Sequence, residues 1–195
     1  MTELADTHQF IDEFGFGVVI SSADGLSGTH LPFVLHADEG EKGALYAHCA
    51  KANPHWKDLE GQNVLVIFTG PHGYISPSWY TSKPAVPTWN YTAVHAYGVA
   101  SLLDPHQTLE AVEKVVEKYE PQLLVQRDIV TDQIKHKMLA GIVGFKIVLT
   151  RLEGQLKLGQ NKSKDDQTGV LNALNNSNNL NDLILSSYMQ KMNLV

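Results

Sequence analysis

Residues 16–49 read FGVVISSADGLSGTHLPFVLHADEGEKGALYAHC, and this stretch decides the fold class. It holds three short runs of apolar and β-branched side chains: Phe16 to Ser21, Thr29 to His36 and Ala44 to Cys49. Ala23-Asp24-Gly25 and Asp38-Glu39-Gly40 separate them. Branched and aromatic side chains suit a pleated, half-buried surface, and acidic residues followed by glycine suit a tight turn. A fourth run, Asn63 to Thr69, stops at Gly70-Pro71-His72-Gly73, and a fifth covers Tyr91 to Leu103. Strands at such spacing predict an antiparallel barrel or sandwich rather than alternating strand–helix units.

Outside these runs the pattern is helical. Asp6 to Glu13 reads as a short helix capped by Asp6 or Thr7. Asp104-Pro105 is a cap with proline at the first helical position. From there Leu109, Val112, Val115, Val116 and Tyr119 recur on one face until Pro121, opposite Glu110, Glu113, Lys114, Glu117 and Lys118. A second helix is predicted from Asp132 to Ala140, and a returning strand from Gly144 to Leu152. The asparagines at 172, 175, 176, 178, 179 and 181 read as a polar helix end and linker. Leu180, Leu183, Ile184 and Met189 then suit a last amphipathic helix. The class is therefore mainly β with helices, α+β.

Composition bounds the function. The chain has 195 residues, 43% apolar and 18% charged, which suits one domain or one domain with a small appendage. Fifteen basic against 21 acidic residues give a net charge of −6. That balance speaks against a broad nucleic-acid footprint, and no basic recognition helix is visible. Direct DNA binding is thus doubtful. A single cysteine rules out an internal disulfide framework and fits a reducing, cytoplasmic setting. No apolar run approaches the roughly 20 residues that span a bilayer, and the first residues lack the pattern of a signal peptide.

Several motifs fail. Gly15-Phe16-Gly17 is followed by Ile20 where a dinucleotide fingerprint needs its third glycine, and no phosphate-binding P-loop or nucleophile elbow occurs. None of the nine histidines stands in a metal-ligand spacing, so no metal site is expected. His48 and Cys49 are neighbours on a strand and point to opposite faces, which leaves Cys49 a buried structural thiol.

Two stretches are chemically dense. His48, Lys51, Asn53 and His55 crowd the exit of one strand, where a point charge, neutral donors and free amides suit a phosphate monoester. The same residues also suit an ordinary polar connection. Between Gly70 and Tyr91 lie Tyr74, Trp79, Tyr80, Trp89 and Tyr91 among Ser76, Ser78, Thr88 and Asn90. Four prolines, at 71, 77, 84 and 87, stiffen the segment. Such a loop can pack a flat heterocycle and satisfy its edge, or can simply be a rigid structural loop. Taken together, the two stretches suggest a mononucleotide-like ligand.

These motifs resemble a known family. Thr29-His30-Leu31-Pro32-Phe33, His48 to Pro54, Phe68 to Tyr80, Val86 to Tyr91 with Val94-His95, and Gly154 to Asn161 resemble the PaiB-type FMN-binding negative transcriptional regulators. The resemblance covers roughly residues 6–162. It implies a split β-barrel with peripheral helices, as in pyridoxamine-phosphate-oxidase-like flavoproteins, over residues 1–164; the Asn-rich helical tail at 165–195 is a separate expectation that the resemblance does not explain. It implies a homodimer that binds flavin mononucleotide, FMN. By resemblance His48, Lys51 and Asn53 lie at the phosphate end, and Ser76, Ser78 and Trp79 near the flavin. Thr88, Trp89 and Asn90 lie at the ring side, and Lys157 and Gln160 return from the late block. Gly159 stands where that block has serine, so no hydroxyl is offered there. The resemblance implies a regulatory role, and the acidic balance of the chain makes an indirect one, through flavin or partner binding, the expectation. A flavin-dependent oxidoreductase is the alternative, with no catalytic residue named, and a heme-handling relative is a third reading.

Overall fold

The computed structural model describes residues 3–126 and 128–193. Seven strands form one sheet in the order β2-β1-β5-β6-β7-β4-β3. They are β1 (Phe16–Ser21), β2 (Ser27–Pro32), β3 (Val34–His36), β4 (Ala44–Ala50), β5 (Asn63–Ile75), β6 (Thr88–Leu102) and β7 (Ile142–Lys157). The helices are α1 (Leu4–Glu13), α2 (Pro105–Tyr119), α3 (Asp132–Ala140), α4 (Lys164–Asn175) and α5 (Leu180–Lys191). The chain divides into two compact units. One holds residues 1–68 and 94–153, the other residues 69–93 and 154–195.

The first unit is built on antiparallel pairing. β1 pairs with β2 and with β5, while β4 pairs with β3 and with β7. Phe33 sits between β2 and β3 and breaks the single strand expected over Thr29 to His36. Its N–H donates to Gly15 O at 2.7 Å, which turns the chain out of the ladder. The turn drives its ring into the core, edge-on to Phe68 at 5.6 Å and to Phe145 at 6.4 Å. Along β4, Leu45, Ala47 and Cys49 are buried while Tyr46 and His48 face the other way, as the alternation requires.

α2 begins as the sequence predicts. Asp104 accepts from the Gln107 N–H at 2.8 Å, and Gln107 Oε1 accepts from the Asp104 N–H at 3.2 Å, a reciprocal cap. The buried face differs from expectation: Thr108 and Ala111 are buried, whereas Tyr119 is exposed. Gly144 explains the rotation, because a Cβ there would lie 2.5 Å from Thr108 Oγ1. Only a glycine in β7 lets α2 seat Thr108 against it. α3 spans the predicted Asp132–Ala140 under a Thr131 cap, but it buries no residue fully. α1 starts earlier than expected, at Leu4 with Glu3 in the cap position, where Glu3 O accepts from the Thr7 N–H at 3.4 Å.

The second unit takes the far half of β5, the first residues of β6, the end of β7, and α4 and α5. Its core includes Ile75, Leu158, Leu174, Leu185 and Met189. β5 runs straight through Gly70-Pro71-His72-Gly73, where the sequence predicted a turn. The Pro71 carbonyl is satisfied by Thr92 Oγ1 at 3.1 Å, and a Cβ on Gly73 would meet Leu185 Cδ2 at 3.0 Å. Proline and glycine there serve packing rather than reversal. The asparagines at 175 and 176 end α4, and Asn179 caps α5 by accepting from the Asn181 N–H at 3.0 Å. The buried face of α5 carries Leu185, Tyr188 and Met189, while Leu180, Leu183 and Ile184 stay exposed.

Gly169 lies inside α4, where glycine ordinarily destabilises by about 1 kcal/mol relative to alanine. A Cβ there would lie 2.2 Å from Trp79 O, so the helix approaches that turn backbone to backbone. Gly169→Ala is therefore expected to lower stability by about 1–3 kcal/mol despite its better propensity. Urea denaturation checks this, and unchanged stability would contradict the close approach.

Candidate functional site

Two of the ring-side candidates, Thr88 and Asn90, and both late candidates, Lys157 and Gln160, meet around a single cleft of the second unit. The cleft measures about 500 Å³, and its walls include Thr88, Asn90, Lys157, Gln160 and Lys162. That lies within the roughly 300–1,000 Å³ usual for small-molecule sites. Lys157 donates from Nζ to Thr88 Oγ1 at 2.7 Å, so the end of β7 and the start of β6 position each other. Among the described residues neither Lys157 nor Lys162 forms an ion pair. The Lys162 ammonium instead lies 4.9 Å from the centre of the Tyr80 ring. Two cations without carboxylates make the cleft electropositive and suited to an electron-rich ligand.

The turn after β7 fixes that side. Gln160 Oε1 accepts from the Leu158 N–H at 2.7 Å, and its Nε2 donates to Leu156 O at 2.6 Å. Gln160 is thus committed to shaping the turn. Gly159 has φ of +77°, the left-handed region that costs a residue with a Cβ roughly 1–2 kcal/mol. Glycine at 159 is therefore the residue that suits this backbone. Beneath the turn, Gln167 donates from Nε2 to Gly159 O at 3.0 Å, while its buried Oε1 has no partner among the described residues. That oxygen is an acceptor for a donor group or a water.

Asp166 anchors the aromatic loop from below. Its Oδ1 accepts from the Thr81 N–H at 2.8 Å, Thr81 Oγ1 at 2.9 Å and the Ser82 N–H at 2.9 Å. The Ser82 N–H, with the Thr81 contact, holds this carboxyl down at about 2, below the usual carboxylate value of 3.8. A depressed folded-state value favours the fold fully above the unfolded value, and that contribution is lost as pH falls through the folded one. Melting temperature is expected to decline between about pH 4 and pH 2 in part through this group. Asp166→Asn should flatten that part of the profile, and an identical profile in the variant would contradict the assignment.

Ser76, Ser78 and Trp79 form a short turn of the second unit. Ser76 Oγ accepts from the Ser78 N–H at 3.2 Å and lies 2.8 Å from Ser78 Oγ, so the two hydroxyls satisfy each other. Trp89 is not folded into the cleft. It stands exposed with Tyr74 edge-on at 6.4 Å and His72 at 6.3 Å. With Tyr91 they make one aromatic face on the outer side of β5 and β6.

In the first unit the strand exit is largely self-satisfied. Asn53 Oδ1 accepts from the His55 N–H at 3.0 Å and Nδ2 donates to Thr29 Oγ1 at 3.1 Å. The two nitrogens of buried His55 meet Ser21 Oγ at 2.9 Å and Thr29 Oγ1 at 2.8 Å. A serine beside an imidazole invites a nucleophile reading. Ser21 is only 2% exposed, and the far nitrogen meets a hydroxyl rather than a carboxylate that would support an imidazolium. Burial also holds His55 below its ordinary pKa, and does the same for His48, which favours neutral rings. Lys51 is exposed, its N–H donating to Gly141 O at 2.8 Å. Cys49 is 3% exposed and its thiol is pushed up by burial, which makes it unreactive.

Lys162 was not among the residues expected at the site, although it stands one position past the late block; Tyr80 lies in the aromatic stretch already singled out. Among the described residues no cluster of histidine, cysteine and carboxylates is placed to hold a metal, and no helix is long and apolar enough to cross a membrane.

The comparisons agree with this architecture. Residues 1–151 match the family model described as "Putative FMN-binding domain". The chain is 36% identical over 196 residues to the protease synthase and sporulation protein PAI 2 of Bacillus subtilis, covering 97% of this chain and 93% of that one. It is 30% identical over 190 residues to an uncharacterized protein of Emericella nidulans, with 77% and 76% covered. Among solved structures, the FAD and heme binding protein of Mycobacterium smegmatis has a TM-score of 0.64 at 15% identity, over 86% of this chain and 78% of that one. The flavocytochrome Anf3 of Azotobacter vinelandii has a TM-score of 0.63 at 16% identity, over 86% and 74%. The expected fold, a split β-barrel of α+β class with peripheral helices, is the one shared with these structures. On the match of residues 1–151 and the identity to the Bacillus protein, this chain belongs to the PaiB-like family of FMN-binding-domain proteins.

Proposed function

We propose that the chain binds FMN and acts through that binding rather than as a direct DNA-binding repressor. The observation that carries this reading is the cleft of about 500 Å³ with its two lysines free of carboxylates, in a chain of this family. Thr88, Asn90, Lys157 and Gln160, which line the cleft, are proposed for the flavin ring together with Lys162, and Ser76, Ser78, Trp79 and Trp89, outside that lining, are proposed as flanking contacts. His48, Lys51 and Asn53 are proposed for the phosphate. FMN supplies redox-active ring chemistry when bound, while the protein supplies binding and orientation.

The absorbance spectrum of freshly purified protein tests the reading. Flavin bands are expected, and a Soret band without flavin would overturn it. Lys51→Ala is expected to weaken FMN about tenfold to a hundredfold, since a hydrogen bond to a charged group contributes roughly 1.5–3 kcal/mol. Riboflavin lacks the phosphate, so its affinity should not change; an equal loss for both ligands would remove Lys51 from the phosphate.

A homodimer is part of the same proposal. The exposed face of Tyr74, Trp89 and Tyr91 is aromatic, the composition enriched at interfaces between copies. Light scattering should return twice the chain mass, and Trp89→Glu should lower it. The name of the Bacillus relative speaks of protease synthase and sporulation. With a net charge of −6, any such link here is proposed to run through flavin or a protein partner. Sequence-specific DNA binding near 10⁻⁸ M at about 0.15 M salt would reverse this.

A further inference from the structure

The helical layer of the first unit forms a partly open apolar pocket that the flavin reading does not use. It lies between α2, the turn Pro121–Leu124 and α3, and it measures about 160 Å³. Leu109, Val112 and Val116 of α2 face Ile134 and Met138 of α3 across it, with Leu123 at one end. Among the described residues, two charged groups reach its wall, Lys135 and Glu113, and they pair with each other at 2.7 Å. The pair neutralises its own charge and presents no net charge to the pocket.

We propose that this cavity binds an uncharged, largely apolar small molecule about the size of one six-membered ring. Volume sets the size: an apolar cavity of about 150 Å³ stays dry and accepts benzene. Chemistry sets the class, because every described wall residue other than Lys135 and Glu113 is leucine, valine, isoleucine or methionine, so water there gains few hydrogen bonds. A charged ligand would have to break the Lys135–Glu113 pair to be neutralised. α3 supplies the way in. It buries no residue fully, and Ile134 and Met138 are 44% and 51% exposed, so little packing holds it against α2. Elements with few buried apolar contacts are the ones that open locally at low cost.

Benzene and benzoate are the probes, titrated into the full chain at 25 °C and followed by methyl NMR. Benzene should shift the methyls of Leu109, Val112, Val116 and Ile134 saturably and leave those of the second unit unmoved. Benzene should also raise the melting temperature with concentration, as a ligand of the folded state must. Benzoate should do neither. Val116→Phe places a ring in the space and should abolish the benzene response. Ile134→Phe, at a position already 44% exposed, provides the same test if the first variant does not fold. Absence of benzene shifts in the wild type would overturn the proposal. So would a benzene response retained in a folded filled variant, or binding of benzoate as tight as that of benzene.

Discussion

Replacing Lys157 and Lys162 together by alanine is expected to weaken flavin binding by about a hundredfold. Each ammonium is a charged donor at the wall of the same cleft. A hydrogen bond to a charged group contributes roughly 1.5–3 kcal/mol, and each 1.4 kcal/mol is about a tenfold change in affinity. Two such contacts would give about two to four orders of magnitude. Both side chains are exposed, and water screens part of that gain, so the lower end of the range is the expected one. FMN and riboflavin should lose affinity alike, because these lysines are assigned to the ring. That pattern separates them from Lys51, whose loss should touch FMN alone. Folding should change little: Lys157 gives up one hydrogen bond to Thr88 and Lys162 one contact with the Tyr80 ring. Unchanged affinity for both ligands, in a variant with wild-type melting, would show the two cations to be solvated surface groups.

Phe33→Ala is expected to cost about 3–5 kcal/mol of stability, the range for emptying a fully buried aromatic site. Phe33 is 0% exposed and holds the rings of Phe68 and Phe145 on its two sides. Truncation removes both edge-on contacts at once. The void cannot close easily, since the backbone at Phe33 is tied to Gly15 O at 2.7 Å. Chemical denaturation measures the loss, and a change below about 1 kcal/mol would mean the site collapses freely. Phe33→Leu, which keeps most of the apolar volume, should recover much of the difference.

How much of this was legible in the sequence differs from element to element. β1 and α3 fall on the predicted residues, because each is bounded by unambiguous signals: Gly15 before and Asp24-Gly25 after one, Thr131 and Gly141 around the other. β5 was cut short because Gly70, Pro71 and Gly73 carry turn chemistry locally. Their use is tertiary, with Leu185 of α5 pressed over Gly73. No local pattern reports a contact more than 100 positions away. α4 was under-read, although Ser163 at its cap and Asp165 with Asp166 in its first turn are a helix start. At the site, Thr88 and Asn90 of the aromatic stretch share one cleft with Lys157 and Gln160, which only the family resemblance names. Sequence gave no means of seeing that Gln160 spends both its amide groups on the turn, or that His55 is consumed by Ser21 and Thr29. Composition shows which groups are present; only packing shows which remain free.

The central claim is that this chain holds FMN, and a calorimetric titration of FMN into flavin-free, folded protein tests it most directly. Saturable binding of one FMN per chain is the predicted result, tighter than that of riboflavin measured the same way. Heats no larger than those of dilution, with the protein folded and FMN well above micromolar concentration, would contradict the account.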